Sequence, residues 1–352
     1  METKEIRWQS PSNIALVKYW GKRDVQIPMN PSLSLTLSKS FTNTALTYAK
    51  KENTSPELSF EFNFENRRNP AFECKIRNWL EMVSPHFSFL SDYDLIFNSA
   101  NSFPHSSGIA SSASSYSAMA LCLCSMEKEL TSNITCFESF EKKATYLARL
   151  GSGSAARSVF GGFVAWGKSD MIMGSSDEYA IPLDFPVHDV FNDFCDSILV
   201  VSSQPKSVSS SNGHLMMLTN PYAELRYKVA ELNFNKLVNA LKSGNVEGFV
   251  NVVENEALNL HAMFLTSSPG YILASPGTFE IIHKIRQFRG KTGLFLCFTL
   301  DAGPNVHLLY PKSISSEIHE FIRIELASFC ENGIWIDDEI GKGPMEVGSS
   351  SL

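Results

Sequence analysis

The chain has 352 residues, 43% of them hydrophobic and 19% charged, with a formal net charge of −7. That length is enough for a large core and suggests two domains, because single cores stop growing near ~250–300 residues. The acidic balance argues against nucleic acid or an anionic membrane as a general partner, and no run approaches the ~18 apolar residues of a membrane span.

Residues 12–24, SNIALVKYWGKRD, come first among the segments that carry chemistry. If 13–19 is a strand, alternation puts Asn13, Ala15 and Val17 on one face, opposite Ile14, Leu16 and Lys18. A bend before Gly21 is then needed for Asn13 and Lys18 to share a site; a strand with a solvated basic end reads equally well. Alternating apolar and polar residues predict strands at 33–37, 41–49 and 58–64, with another at 92–98.

The last of these leads into NSFPHSSGIASSASS, residues 101–115. Backbone N–H groups and hydroxyls at the start of a helix can wrap a phosphate, and the helix N-terminus adds partial positive charge. The spacing is not GxxxxGK[ST]. A serine-rich linker is the plain alternative, though the run continues straight into SAMALCLC. A buried helix is expected at 108–129, and a second at 137–150 that ends at GSGSAARSVFGG, residues 151–162. There Gly151 and Gly153 free the backbone, Ser152 and Ser154 offer hydroxyls, and Arg157 can clamp a carboxylate or phosphate through two parallel hydrogen bonds. A helix cap followed by a turn, with Arg157 solvated, fits as well.

Strands follow at 163–166 and 197–201, the second apolar on both faces and so central in its sheet. Helices are expected at 222–243, at 246–265 after a Gly244-Asn245 break, and at 276–289, opened by Pro276. Strands at 294–300 and 306–310 flank TLDAGPNV, where Asp301 ends an apolar run beside a Gly-Pro turn. That is a usual catalytic placement, but an Asx-type turn cap is the commoner use of such an aspartate. A helix at 315–330 and a strand at 334–336 close the pattern. The boundary falls within 182–196, giving halves 1–190 and 191–340, and the polar Gly/Ser-rich tail 341–352 is expected to be disordered. Seven cysteines without a C-x-x-C pair fit reduced thiols in a cytoplasmic protein.

In order, NIALVKYWGKRD, FPHSSGIASSAS, ARLGSGSAARSVFGG and TLDAGPN resemble the motifs of the diphosphomevalonate decarboxylase family of GHMP small-molecule kinases. The resemblance spans residues 12–310. It implies an α+β, GHMP kinase-like two-lobed fold, with an N-terminal lobe like ribosomal S5 domain 2, a ferredoxin-like C-terminal lobe and the active site between them. It also implies ATP and Mg²⁺ as cofactors, a small-molecule substrate and a homodimer. By position, Asp301 matches the aspartate facing the substrate 3-hydroxyl, and Arg157 the arginine holding its carboxylate. Asn13 matches the asparagine orienting that arginine, and Lys18 the lysine near the moving phosphoryl group. Ser106, Ser107, Gly108, Ala110, Ser111 and Ser112 fall in the nucleotide phosphate loop. Tyr19, Lys22, Ser152, Gly153, Ser154 and, in VSSSNGH, Ser210 fall where the family grips the diphosphate end.

Two departures keep the small residues and the arginine: PHSSG stands where many relatives have PTAAG, and GSAAR where GSACR is commoner. The histidines show no metal spacing, so Mg²⁺ is expected to arrive with ATP. A kinase of the same superfamily that phosphorylates mevalonate or phosphomevalonate without decarboxylation is the nearer rival. A non-catalytic binding protein is the more distant one, and the acidic balance and lack of an RNP-type aromatic stretch argue against RNA.

Overall fold

The structure, a computed structural model, describes residues 3–52, 57–104, 109–131, 137–204 and 208–348. β1 (Thr3–Val17) runs through a short hairpin, β2 (Lys22–Arg23) and β3 (Ile27–Pro28), into the long β4 (Ser32–Lys50). The first half continues with β5 (Ser59–Phe64), β6 (Arg67–Arg68), α1 (Pro70–Val83), β7 (Tyr93–Asn101), α2 (Ser111–Thr131), α3 (Phe140–Gly151), β8 (Phe163–Trp166) and β9 (Ala180–Pro182). The two strands expected at 33–37 and 41–49 are one, because β4 changes partner midway. Its residues 32–35 pair with β8 and its residues 42–50 with β7. Helix α1 lies outside the sequence expectations, although its start follows the rules. The Asn69 side chain accepts from the Ala71 and Phe72 N–H groups, and Pro70 opens the first turn.

The second half comprises β10 (Phe194–Leu199), α4 (Ser210–Met216), α5 (Ala223–Ser243), α6 (Val246–Leu265), α7 (Pro276–Thr292), β11 (Cys297–Leu300), β12 (Val306–Pro311), α8 (Ser315–Phe321) and β13 (Trp335–Glu339). Gly244 closes α5 in the left-handed region at φ 75°, and the Asn245 side chain caps α6, so the expected break is a cap-to-cap junction. The helix expected at 315–330 is shorter. After α8 the chain relaxes into a π-turn (Ile322–Leu326) and a 3-10 turn (Ala327–Phe329), with Ile318, Phe321, Ile322 and Leu326 all buried. The four-stranded sheet runs β11-β12-β10-β13. β10 is interior and every residue of it is buried.

The tail is not loose through residue 348, contrary to expectation. β14 (Met345–Glu346) pairs with Trp8 and Gln9, completing an eight-stranded sheet ordered β14-β1-β4-β7-β5-β6, with β8 on β4 and β9 on β8. The composition that reads as disorder serves close backbone packing. A Cβ at Gly341 would collide with the Leu37 carbonyl, and one at Gly343 would come within 2.8 Å of the Gly161 nitrogen.

Two cores are local. Trp79, Leu80, Phe97, Met119 and Leu147 fill the space between the first sheet and its helices. Ile281, Ile285, Phe298, Leu308 and Phe321 do the same for the second sheet. A third core belongs to both halves: Leu16, Leu33, Leu35 and Phe163 pack with Phe194, Phe234, Leu237 and Phe249. The ends of β1 and β4 are thereby clamped against α5 and α6, and a cleft opens beside this seam.

Candidate active site

Two register shifts in β1, between Pro11 and Asn13 and between Ala15 and Val17, interrupt strict alternation. They and the strand's end supply the bend that the sequence required, so Asn13, Ala15 and Lys18 line one cleft of about 650 Å³. From the second sheet, β11 stops at Leu300 and presents Asp301 to the same space. The tight turn expected there is present, with the Gly303 N–H donating to the Asp301 carbonyl at 2.7 Å. The Asp301 side chain nevertheless faces the cleft: Lys18 Nζ donates to its Oδ1 at 3.1 Å and to the Ala15 carbonyl at 2.6 Å. Burial lowers the Lys18 pKa from its ordinary value, while Asp301 and Glu256 pull it back up.

Glu256 on α6 explains why this lysine is so well held. One of its oxygens accepts the Lys18 backbone N–H at 2.9 Å. Arg226 grips both oxygens at 3.2 and 2.7 Å, and Asn233 adds a bond of 2.7 Å. All three side chains are buried.

Arg157 lies in the 3-10 segment Gly153–Val159 that follows α3. It is 2% exposed, which excludes the solvated reading. Its Nε donates to Asn13 Oδ1 at 3.3 Å and its Nη1 to Ser32 Oγ at 2.7 Å. Asn13 is itself fixed, because its Nδ2 donates to the Ser154 carbonyl (3.1 Å) and to Ser158 Oγ (2.8 Å), which turns its oxygen toward the guanidinium. Burial brings Arg157 down to about 10, so it stays cationic at neutral pH. Gly153 cannot carry a side chain here, since a Cβ would lie 2.7 Å from both the Trp166 and Tyr19 rings.

Of the serine-rich run, Ser106, Ser107 and Gly108 lie outside the described residues, as does His105. Ala110, Ser111 and Ser112 line the cleft where α2 begins. The remaining serines divide by face. Ser114 lies 2.6 Å from Thr42 Oγ1, and Ser117 accepts from Ser10 at 2.7 Å, so these two seat α2 on the sheet. Ser112 Oγ lies 3.2 Å from Ser152 Oγ, which lies 3.3 Å from Ser154 Oγ, a row of hydroxyls linking the two glycine-serine segments.

At the other end stand Tyr19, Lys22 and, from the start of α4, Ser210. His214 was not singled out from sequence, although the NGH that follows the serines contains it. Its ring lies 4.4 Å from Tyr19 and 4.6 Å from Trp20, and its Nδ1 accepts the Gly21 N–H at 3.1 Å. Burial drops it to about 3, so it is the neutral acceptor that this bond needs. Lys75, Asn78 and Met82 of α1 form a further wall that went unread with the helix itself.

The structure thus brings every described site residue expected from sequence to one cleft. Three buried or half-buried cations (Lys18, Lys22 and Arg157), a carboxylate and a row of hydroxyls suit a small, multiply anionic ligand.

Comparison with known proteins gives a consistent result. Residues 10–180 match the model of the diphosphomevalonate decarboxylase-like N-terminal domain, and residues 197–337 that of the mevalonate 5-diphosphate decarboxylase C-terminal domain. Diphosphomevalonate decarboxylase of Ganoderma lucidum is 30% identical over 339 residues, covering 92% of this chain and 82% of its own. That of Saccharomyces cerevisiae is 31% identical over 341 residues, covering 89% and 79%. The Staphylococcus aureus mevalonate diphosphate decarboxylase structure superposes with a TM-score of 0.82 at 28% identity, covering 99% of both chains. A structure described as MDDEF in complex with MVAPP, AMPPCP and magnesium also reaches 0.82 at 28% identity, covering 99% of this chain and 100% of that one.

Proposed function

This chain belongs to the diphosphomevalonate decarboxylase family, and on that premise we propose how its cleft works. The protein is an ATP-dependent decarboxylase of GHMP kinase-like fold. It converts (R)-5-diphosphomevalonate to isopentenyl diphosphate, ADP, phosphate and CO2, with ATP and Mg²⁺ as cofactors. One observation carries the assignment of roles: Lys18 of the first half meets Asp301 of the second at 3.1 Å, in the cleft that Arg157 also lines.

A tertiary hydroxyl leaves poorly, so ATP first phosphorylates it. Asp301 orients that hydroxyl and takes its proton, and Lys18 with the first turn of α2 stabilises charge on the moving phosphoryl group. Phosphate then departs from carbon 3, and the electrons of the breaking carbon–carboxylate bond form the new double bond as CO2 leaves. Arg157 holds the carboxylate in line. Its anchoring by Asn13 and Ser32 leaves other guanidinium N–H groups to face the substrate. Tyr19, Lys22, Ser152, Gly153, Ser154 and Ser210 grip the diphosphate, and Ser106, Ser107, Gly108, Ala110, Ser111 and Ser112 the nucleotide phosphates. Among the described residues no three His, Cys, Asp or Glu side chains gather into a metal cage. Cleft-facing hydroxyls such as those of Ser111 and Ser112 would be the protein's share in holding Mg²⁺, which would supply charge neutralisation at the nucleotide phosphates.

Purified protein incubated with ATP, Mg²⁺ and, separately, mevalonate, its 5-phosphate and its 5-diphosphate should release CO2 with the diphosphate alone. A phosphorylated product formed without gas would refute decarboxylation and favour a superfamily kinase.

The reading extends to a homodimer in the cytoplasm. Supporting it, Leu218, Tyr222, Leu225 and Leu232 expose apolar side chains along the outer face of α5 and its approach, where a second copy would cover them. The six cysteines among the described residues are all free thiols, as a reducing compartment keeps them. No described helix is long and apolar enough to cross a membrane. Light scattering should give a dimer mass for the wild type and a monomer mass for Leu225→Glu; a wild-type monomer would overturn the dimer.

A further inference from the structure

The β2–β3 hairpin turns on Asp24, Val25 and Gln26. Asp24 (φ 43°) and Gln26 (φ 57°) both occupy the left-handed backbone region. Aspartate tolerates that region through local hydrogen bonding, whereas glutamine, with its longer side chain, has no such preference. A residue held this way persists only where its surroundings insist on it. Here Arg149 at the end of α3 does so: its Nη1 donates to the Val25 carbonyl at 2.5 Å and its Nε to the Glu178 carbonyl at 2.7 Å.

The strained turn lines the cleft with Asp24, Val25 and Gln26, and of these the Gln26 amide bonds to donors of the cleft wall. Gln26 Oε1 accepts from the Tyr19 hydroxyl at 3.0 Å and from Lys22 Nζ at 3.3 Å. An ammonium only donates, so the oxygen must face these two groups. The NH2 edge is left over, with no hydrogen-bond partner among the described residues, and Gln26 lines the cleft. Glycine would adopt this backbone without strain, yet a side chain with that oxygen stands there.

We propose that Gln26 is a positioning and specificity residue for the diphosphate end of the substrate. Its oxygen gathers the Tyr19 hydroxyl and the Lys22 ammonium side by side, and its NH2 adds a third donor for the terminal phosphate. This rests on the decarboxylase reading above, in which Arg157 and Asp301 fix the other end of the same molecule. With that end anchored, donors on the hairpin measure its length, and a monophosphate, one phosphate shorter, gives them less to hold.

The test uses the full chain, with Gln26→Gly and Gln26→Glu. Calorimetry measures Kd for 5-diphosphomevalonate and for ATP with Mg²⁺, alongside CO2 release and the melting temperature. For Gln26→Gly, the diphosphomevalonate Kd should rise about tenfold. ATP affinity should stay unchanged and the melting temperature should not fall, because the backbone strain is relieved. Gln26→Glu should weaken binding further, since a carboxylate would neutralise Lys22 and repel the diphosphate. Diphosphomevalonate affinity within about twofold of wild type in both variants, or an equal loss for ATP, would overturn the proposal. Wild type that binds diphosphomevalonate but releases no CO2 would strike the decarboxylase reading instead, with the Gln26 effect on Kd still standing.

Discussion

Asp301→Asn tests the centre of the site with the least change in shape. Two unit charges 3.1 Å apart attract by about 5 kcal/mol at an effective dielectric near 20. The Asp301 side chain is 28% exposed, so solvent screens part of this and about 2–3 kcal/mol remains. Without that partner Lys18, 2% exposed, is left beside a neutral amide, and its tendency to hold a proton falls further. The amide also cannot accept the hydroxyl proton, a function worth ~10²–10⁴-fold in rate. Together these losses should lower kcat by roughly 10³–10⁵-fold. ATP affinity should stay within about threefold, because Asp301 is assigned to the substrate hydroxyl and not to the nucleotide. Single-turnover measurement of ADP, phosphate and CO2 separates the steps, and all three should slow together because phosphorylation comes first. CO2 release within about tenfold of wild type would show that neither the carboxylate nor its pairing with Lys18 drives the reaction.

Arg157→Ala should cut CO2 release by at least about a hundredfold while ATP binding persists. It should also cost about 1–3 kcal/mol of stability, because Asn13 and Ser32 lose a buried partner; denaturant midpoints and steady-state kinetics read the two effects. Activity should fall on the alkaline side at a lower pH than an ordinary lysine's 10.5 dictates, because burial lowers Lys18 and only its charged form serves the transfer. Glu256→Gln removes a carboxylate that raises Lys18, so that alkaline limb should move to still lower pH. The same substitution leaves Arg226 without its counter-charge and should destabilise the fold by about 3–5 kcal/mol. An unmoved limb in kcat/KM profiles would sever Glu256 from Lys18.

Local rules exposed much of this architecture and missed what depends on distant neighbours. The Gly244-Asn245 break, Pro276 at the start of α7 and the alternation of β5 each have causes within a few residues. Asn69-Pro70 is an equally local helix start that went unread. Residues 341–348 could not be placed from composition, because Gly341 and Gly343 are required by the backbones of Leu37 and Gly161, far away in sequence. In the cleft, Asn13, Lys18, Arg157 and Asp301 stood out through motif order. Glu256 and His214 act through partners about two hundred residues away, whereas Gln26 sits just past the motif at 12–24 and meets Tyr19 and Lys22 only because the hairpin folds back. The serine-rich run shows the same division: Ser114 and Ser117 differ from Ser111 and Ser112 only in which side of α2 they occupy.

The core common to both halves bears on how this enzyme can be taken apart. Leu16, Leu33, Leu35 and Phe163 share one core with Phe194, Phe234, Leu237 and Phe249, joining segments on either side of residue 190. The Asp338 carboxylate accepts the backbone N–H groups of Ser38, Lys39 and Ser40, and β14 then returns to the first sheet. The halves are therefore interlocked, not modular. Expressed separately, a fragment ending near residue 190 would lack the edge strand β14 and show Leu16, Leu33, Leu35 and Phe163 to water. Swapping halves between relatives should succeed only when the two sides of this shared core and the last strand stay matched.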